Sequence, residues 1–225
     1  MKTGMLPVSR WTLCLLFTAV IGIIYNGGCS ENKKMQTKSY SKQDAADSEF
    51  QKGADKPPTA KTLFSMAEIL AAQGKDAECE NILKQSITAY PDFVPAYNSL
   101  AELNMRQGRV NDAIVTITRG LQLNSRDTVL LNNLGMCWIV RRDYNKALDA
   151  FTEASGISPE NAKYRANMAA ALGLLGRYEE SLSLFKQILP PKEAEHNLSV
   201  LRAVREDSNP NSAVNLKELN LKNPK

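Results

Sequence analysis

Cut after residue 59, the chain falls into four segments of equal length, 60–93, 94–127, 128–161 and 162–195, each of 34 residues. Side-chain size recurs in register through them. The eighth position reads Ala67, Ala101, Gly135 and Ala169, and the twentieth reads Cys79, Ala113, Ala147 and Ser181, small every time. The seventh reads Met66, Leu100, Leu134 and Met168, and the twenty-fourth reads Leu83, Ile117, Phe151 and Phe185, large and apolar. The fifteenth reads Gly74, Gly108, Arg142 and Gly176. A period of this length dictates a stack of like units, because one such unit cannot bury its own apolar face.

The spacing within a unit implies an all-α fold of two antiparallel helices joined at the fifteenth position. Glycine there accepts a backbone conformation that a Cβ opposes at a helix end. Small residues at positions eight and twenty let the two axes approach, and large ones at seven and twenty-four fill the space beside that contact. Composition agrees: Ala, Leu, Glu and Gln dominate the middle of the chain, and aromatics make up only 7% of it.

This pattern resembles the tetratricopeptide repeat, which favours Leu-Gly at seven and eight, Ala at twenty, Phe at twenty-four and Pro at thirty-two. The third unit matches best, through Leu134, Gly135, Ala147, Phe151, Ala154 and Pro159. Pro91 also matches, whereas Ser125, Asn104, Arg142 and Ser181 depart from the pattern without breaking the helical period. The resemblance covers residues 60–189 and implies a helical-hairpin solenoid of about four repeats. Pro190-Pro191 then stops one helix and starts another. Ala194, Leu198, Leu201 and Val204 fall at helical spacing in residues 192–206, as expected of a helix that caps the open end of the stack. Residues 60–206 thus form the repeat domain, and 207–225 read as a disordered tail.

The N-terminal region belongs to a different class. Lys2 and Arg10 precede WTLCLLFTAVIGIIY, an apolar run of 15 residues, and then Asn-Gly-Gly-Cys. A basic start, a short apolar core and small residues describe a secretory signal over residues 1–28, and the run is short for a span of roughly 20 residues. The end resembles the lipobox of bacterial lipoproteins, with Asn26 where Leu is usual, which implies lipidation at Cys29. An uncleaved anchor and ordinary cleavage are the alternatives. Ser30 leaves the outer membrane open, so the expected place is the bacterial cell envelope, outer membrane favoured, facing the periplasm. Residues 29–59 are polar and poor in aliphatics, too poor to offset the entropy of ordering, and read as a disordered tether.

Charge and reactive groups narrow the function. With 28 basic and 24 acidic residues the balance is too even and too dispersed for nucleic acid to be the main partner. Cys79 and Cys137 fall at apolar helical positions and read as separately buried thiols. His196 is the one histidine and reads as a lone exposed imidazole. No phosphate loop, metal cluster or nucleophile–base pairing is assembled, so no enzyme activity, metal or cofactor is implied. An enzyme or a nucleic-acid module is the remote alternative.

The resemblance points instead to protein binding. In the family's frame, the concave groove is lined from Asn98, Asn132, Asn133, Met136, Ile139, Val140, Lys163, Asn167 and Leu174, with Glu102, Met105, Val129 and Ala170 beside them. In peptide-binding members an Asn at the sixth position bonds the ligand backbone; Asn133 and Asn167 match it. The amide carries both donor and acceptor, which suits an extended peptide. The expected function is a non-enzymatic protein-interaction scaffold tethered by lipid. The stretch LPPKEAEHNLSVLRAV is similar to the tight-adherence (Flp) pilus-assembly lipoproteins, which implies a role in pilus or secretion-complex assembly. A general envelope adaptor or chaperone unrelated to pili is the alternative.

Overall fold

The structure, a computed structural model, describes residues 56–206 together with 214, 216, 217, 219 and 221–224. The signal, Cys29 and all of the tether before residue 56 lie outside the described residues. Nine helices run through the described residues, with no strand among them: α1 Ala60–Ala72, α2 Asp76–Ala89, α3 Val94–Arg106, α4 Val110–Leu123, α5 Thr128–Val140, α6 Tyr144–Ile157, α7 Ala162–Leu175, α8 Tyr178–Lys186 and α9 Pro191–Glu206. The first eight pair as four hairpins, one within each 34-residue segment.

Local chemistry sets the helix ends. Thr59, Asp127 and Asn161 place a side-chain oxygen on backbone N–H groups at the starts of α1, α5 and α7, supplying acceptors that the helix itself cannot. At the hairpin turns Gly74, Gly108 and Gly176 have φ of 71°, 75° and 83°. Arg142 takes the same left-handed conformation, φ 58°, at a cost of roughly 1–2 kcal/mol for a residue with a Cβ. The repeat imposes this turn on the third hairpin without the residue that suits it.

The seams follow the size pattern. Ala101, Ala113, Ala147, Ala169 and Ser181 are fully buried, as are Leu83, Ile117 and Phe151. A Cβ on Gly135 would stand 2.6 Å from Phe151 Cδ1, so Gly135 is what allows the ring between α5 and α6. The seventh position departs from expectation at the first unit, where Met66 is 43% exposed. Its outward side has no preceding hairpin among the described residues.

At the other end α9 packs on α7 and α8 through Ala194, Leu198 and Leu201, as a capping helix should. Two sequence expectations need correction here. His196 is half-buried, not exposed. The expected disordered tail does not describe the placed residues: Val214 and Leu216 are buried in the same apolar cluster as Phe185, Ala194 and Leu201, with Leu219 and Leu221 packed against it. The alternation of Val214 with Leu216 and of Leu219 with Leu221 supplies apolar side chains to cover a face that the fourth hairpin and α9 leave open.

Candidate functional site

The first helices of successive hairpins, α3, α5 and α7, present polar side chains into a groove of about 1410 Å³. Asn132, Asn133, Met136, Val140, Lys163 and Asn167 line it, together with Glu102 and Met105. The helical repeat brings the sixth position of one unit into hydrogen-bonding range of the fifth position of the unit before it, and a ladder of amides results. Asn167 Nδ2 donates to Asn132 Oδ1 at 2.7 Å. Asn132 Nδ2 donates to Asn133 Oδ1 at 3.4 Å, and Asn133 Nδ2 donates to Asn98 Oδ1 at 2.7 Å and to Glu102 Oε1 at 3.2 Å. Asn132 is only 4% exposed, so the ladder satisfies a buried amide that would otherwise be costly.

This network changes the expected roles. Asn98, expected in the groove, is not among the residues that line it and instead accepts a hydrogen bond from Asn133. Asn133 spends both donors within the ladder. Asn167 has one N–H and its Oδ1 without a hydrogen bond among the described residues, and it faces the groove. Lys163 is exposed at the rim and makes no ion pair among the described residues.

Ile139 and Leu174, expected to line the groove, do not. Ile139 is fully buried and Leu174 is 1% exposed, both within the apolar cluster of Ala147, Phe151 and Phe185. Ala170 goes the same way. α5 packs against α3, α4 and α6, and α7 against α6, α8 and α9, so each helix has only a narrow strip left for the groove. The apolar floor is covered too. Met136 is 5% exposed and shares a cluster with Val214 and Leu216 of the C-terminal segment.

The wall opposite the ladder was not foreseen. Leu216, Lys217, Leu221, Lys222, Asn223 and Pro224 line the same groove. Lys222 among them is held by Asn197 of α9, whose side chain is fully buried. Asn197 Nδ2 donates to the Lys222 carbonyl at 2.8 Å, and the Lys222 N–H donates to Asn197 Oδ1 at 2.7 Å. A signal for it exists in the sequence: Asn197 lies three residues after Ala194 and four before Leu201, on the apolar face of α9. A buried amide there demands partners, and the chain must supply them.

The reactive groups play no part in the groove. Cys79 and Cys137 are free and buried, each in its own apolar cluster. Burial pushes the Cys137 thiol up to about 12, which leaves no thiolate for chemistry near neutral pH. Trp138 instead carries a cation on its face, with Lys146 Nζ 4.5 Å from the ring centroid. Among the described residues no group of three or more His, Cys, Asp or Glu could hold a metal ion, and no helix is long and apolar enough to cross a membrane.

No model of a known protein family matches the chain. The TPR repeat-containing protein YvcD of Bacillus subtilis (strain 168) is 30% identical over 122 residues, 54% of this chain and 25% of that protein. Human Superkiller complex protein 3 is 28% identical over 89 residues, 40% of this chain and 6% of that protein. The chain therefore spans a quarter or less of the length of these relatives. Among solved structures, YrrB, described as a TPR protein with an unusual peptide-binding site, has TM-score 0.56 at 16% identity, covering 68% of this chain and 80% of that one. The MamA protein has TM-score 0.57 at 16% identity, covering 66% and 85%. An O-GlcNAc transferase mutant of Thermobaculum terrenum is similar over 26% of its own chain, with TM-score 0.51 at 18% identity. The fold is a tetratricopeptide-type helical-hairpin solenoid.

Proposed function

We propose that this protein is a non-enzymatic scaffold whose concave groove holds an extended segment of another protein. The observation that carries the reading is the amide ladder across three hairpins, ending at Asn167 with an acceptor and a donor turned to the groove. An unfolded peptide backbone offers the complementary N–H and C=O at every residue, and Lys163 at the rim favours an acidic neighbour. The peptide-binding site named for YrrB is a property of that protein and supports the idea by likeness of fold alone.

A photo-crosslinking residue at Lys163, compared with one at exposed Asp149 on α6, tests the site. A partner captured from Lys163 and not from Asp149, with yield lost in Asn133→Ala/Asn167→Ala, is the expected result. Equal capture from both positions moves the binding surface off the groove.

The finer reading rests on the sequence. Lipidation at Cys29 would tether the scaffold to the bacterial envelope, facing the periplasm. Each buried acyl CH₂ contributes roughly 0.8 kcal/mol, so two or three chains hold it durably. There it would help assemble a pilus or secretion complex, in line with the resemblance of LPPKEAEHNLSVLRAV to the tight-adherence lipoproteins. Cys29→Ser should abolish labelling by a fatty-acid analogue; labelling that persists rules this anchor out.

A further inference from the structure

The geometry points to a second, backbone-reading subsite at Asn197, occupied in this structure by the chain's own C-terminal segment as a ligand held in cis. A partner segment of the same chemistry, extended and aliphatic, competes for it. This deepens the reading of the groove as a peptide site and rests on it.

Asn197 bonds both the N–H and the C=O of one residue, Lys222, at 2.7 and 2.8 Å. Those two groups point to the same side only where the backbone is extended, as in the paired residues of an antiparallel ladder. Asn197 thus does for Lys222 what an adjacent strand would do. It reads no side chain: Lys222 is exposed, so any residue with a backbone N–H fits at that place. Selectivity comes from the flanks, where Leu216 is buried and Leu221 is half-buried against the cluster of Ala194 and Leu201. The subsite therefore takes an aliphatic residue next to the clamped one and a second aliphatic five residues before that.

The occupant adds Val214 and Leu216 to the buried cluster, yet it is clamped through its backbone as a ligand would be. Val214, Leu216, Leu219 and Leu221 reach the apolar cluster without lying in a helix, and Leu216 and Leu221 also wall the groove that the amide ladder lines. Tethered to α9 by a short stretch of chain, it competes at an effective concentration in the millimolar range, enough to mask an incoming segment of modest affinity. A partner that offers both an acidic stretch for Lys163 and an aliphatic segment for Asn197 displaces it. One that offers only the first leaves it in place.

The probe is a fluorescein-labelled peptide of residues 214–225, VNLKELNLKNPK, followed by anisotropy against the full chain. Lys222→Pro in the chain removes the N–H that bonds Asn197 Oδ1 and touches no apolar contact. The expected result is at least tenfold tighter peptide binding to Lys222→Pro than to the unaltered chain. Adding Asn197→Ala should abolish that gain. Leu216→Ser/Leu221→Ser releases the same segment by another route and should reproduce the gain, with circular dichroism showing helicity kept in all variants. Equal affinity for the unaltered and released chains overturns the proposal, as does a gain that survives Asn197→Ala. Either failure leaves the Lys163 crosslinking result standing, so the two readings fall separately.

Discussion

The first and last hairpins are built on one repeat and finished in opposite ways. At the first, Met66 is 43% and Ile69 58% exposed, and they line an apolar hollow of about 470 Å³ with Leu70 and Ile82. Its junction with the second hairpin is an apolar cluster of Leu83, Ile87, Ala96, Tyr97, Leu100 and Leu103, to which ion pairs are added: Arg106 with Asp76 at 2.8 Å, and Arg109 with Glu80 at 2.6 Å. The last hairpin is covered by α9 and then by the C-terminal segment, and its cohesion is apolar, through Phe185, Leu189, Ala194 and Leu201. A repeat defines how units meet one another. It says nothing about what meets the outermost unit, so the last end is closed by residues outside the period while no described residue covers Met66 and Ile69 at the first.

The largest effect should come from the seam of the third hairpin, between the two ends. Phe151→Ala removes a fully buried ring and should lower stability by about 3–5 kcal/mol, read by thermal or urea unfolding. An unmoved midpoint would show that the hairpin frame is wrong. Next comes the contrast of the ends. Leu201→Ala, in the covered one, should cost about 2–5 kcal/mol, whereas Ile69→Ser, in the open one, should stay within about 0.5 kcal/mol. Similar losses at both sites would mean that Ile69 is covered in solution. Gly135→Ala should cost about 1–3 kcal/mol by forcing Phe151 aside, and Phe151→Leu in the same chain should recover part of that loss.

The smallest effect depends on pH. Hydrogen bonds from Arg109 and Lys84 hold the Glu80 carboxyl below its ordinary value of 4.5. A carboxylate lowered in the folded state contributes stability that is full above its ordinary value and is lost as pH falls from there through the lower folded-state value. Between the covered and open ends, acid should therefore loosen the open one first. Amide hydrogen exchange in α1 and α2 should rise below about pH 4.5 by an amount worth no more than about 1 kcal/mol. Glu80→Gln should flatten that dependence, and exchange in α9 should stay level through the same range.

The hairpins could be read from the chain because their causes are local and repeated. Gly135 and Phe151 announce a close approach by size alone, and the left-handed turn at Arg142 follows from the frame although its residue argues against it. The groove was legible in part. Asn133 and Asn167 were placed on it by their register, but their hydrogen bonds run to other amides of neighbouring units, which no single repeat reveals. Ile139 and Leu174 share the right helices yet turn into the core, because neighbours on both sides leave each helix only a narrow exposed strip.

By itself, the order of residues determined the helices, the turn positions and the sizes at each seam, since these depend on contacts that recur every 34 residues. Only the tertiary structure decided what closes the ends. Residues 207–225 are polar enough on average to read as unstructured, and no local preference folds them. Val214 and Leu216 are buried, and Leu219 and Leu221 half-buried, because α7, α8 and α9 together expose an apolar face, and because the buried Asn197 has two hydrogen bonds that a backbone from far along the chain completes.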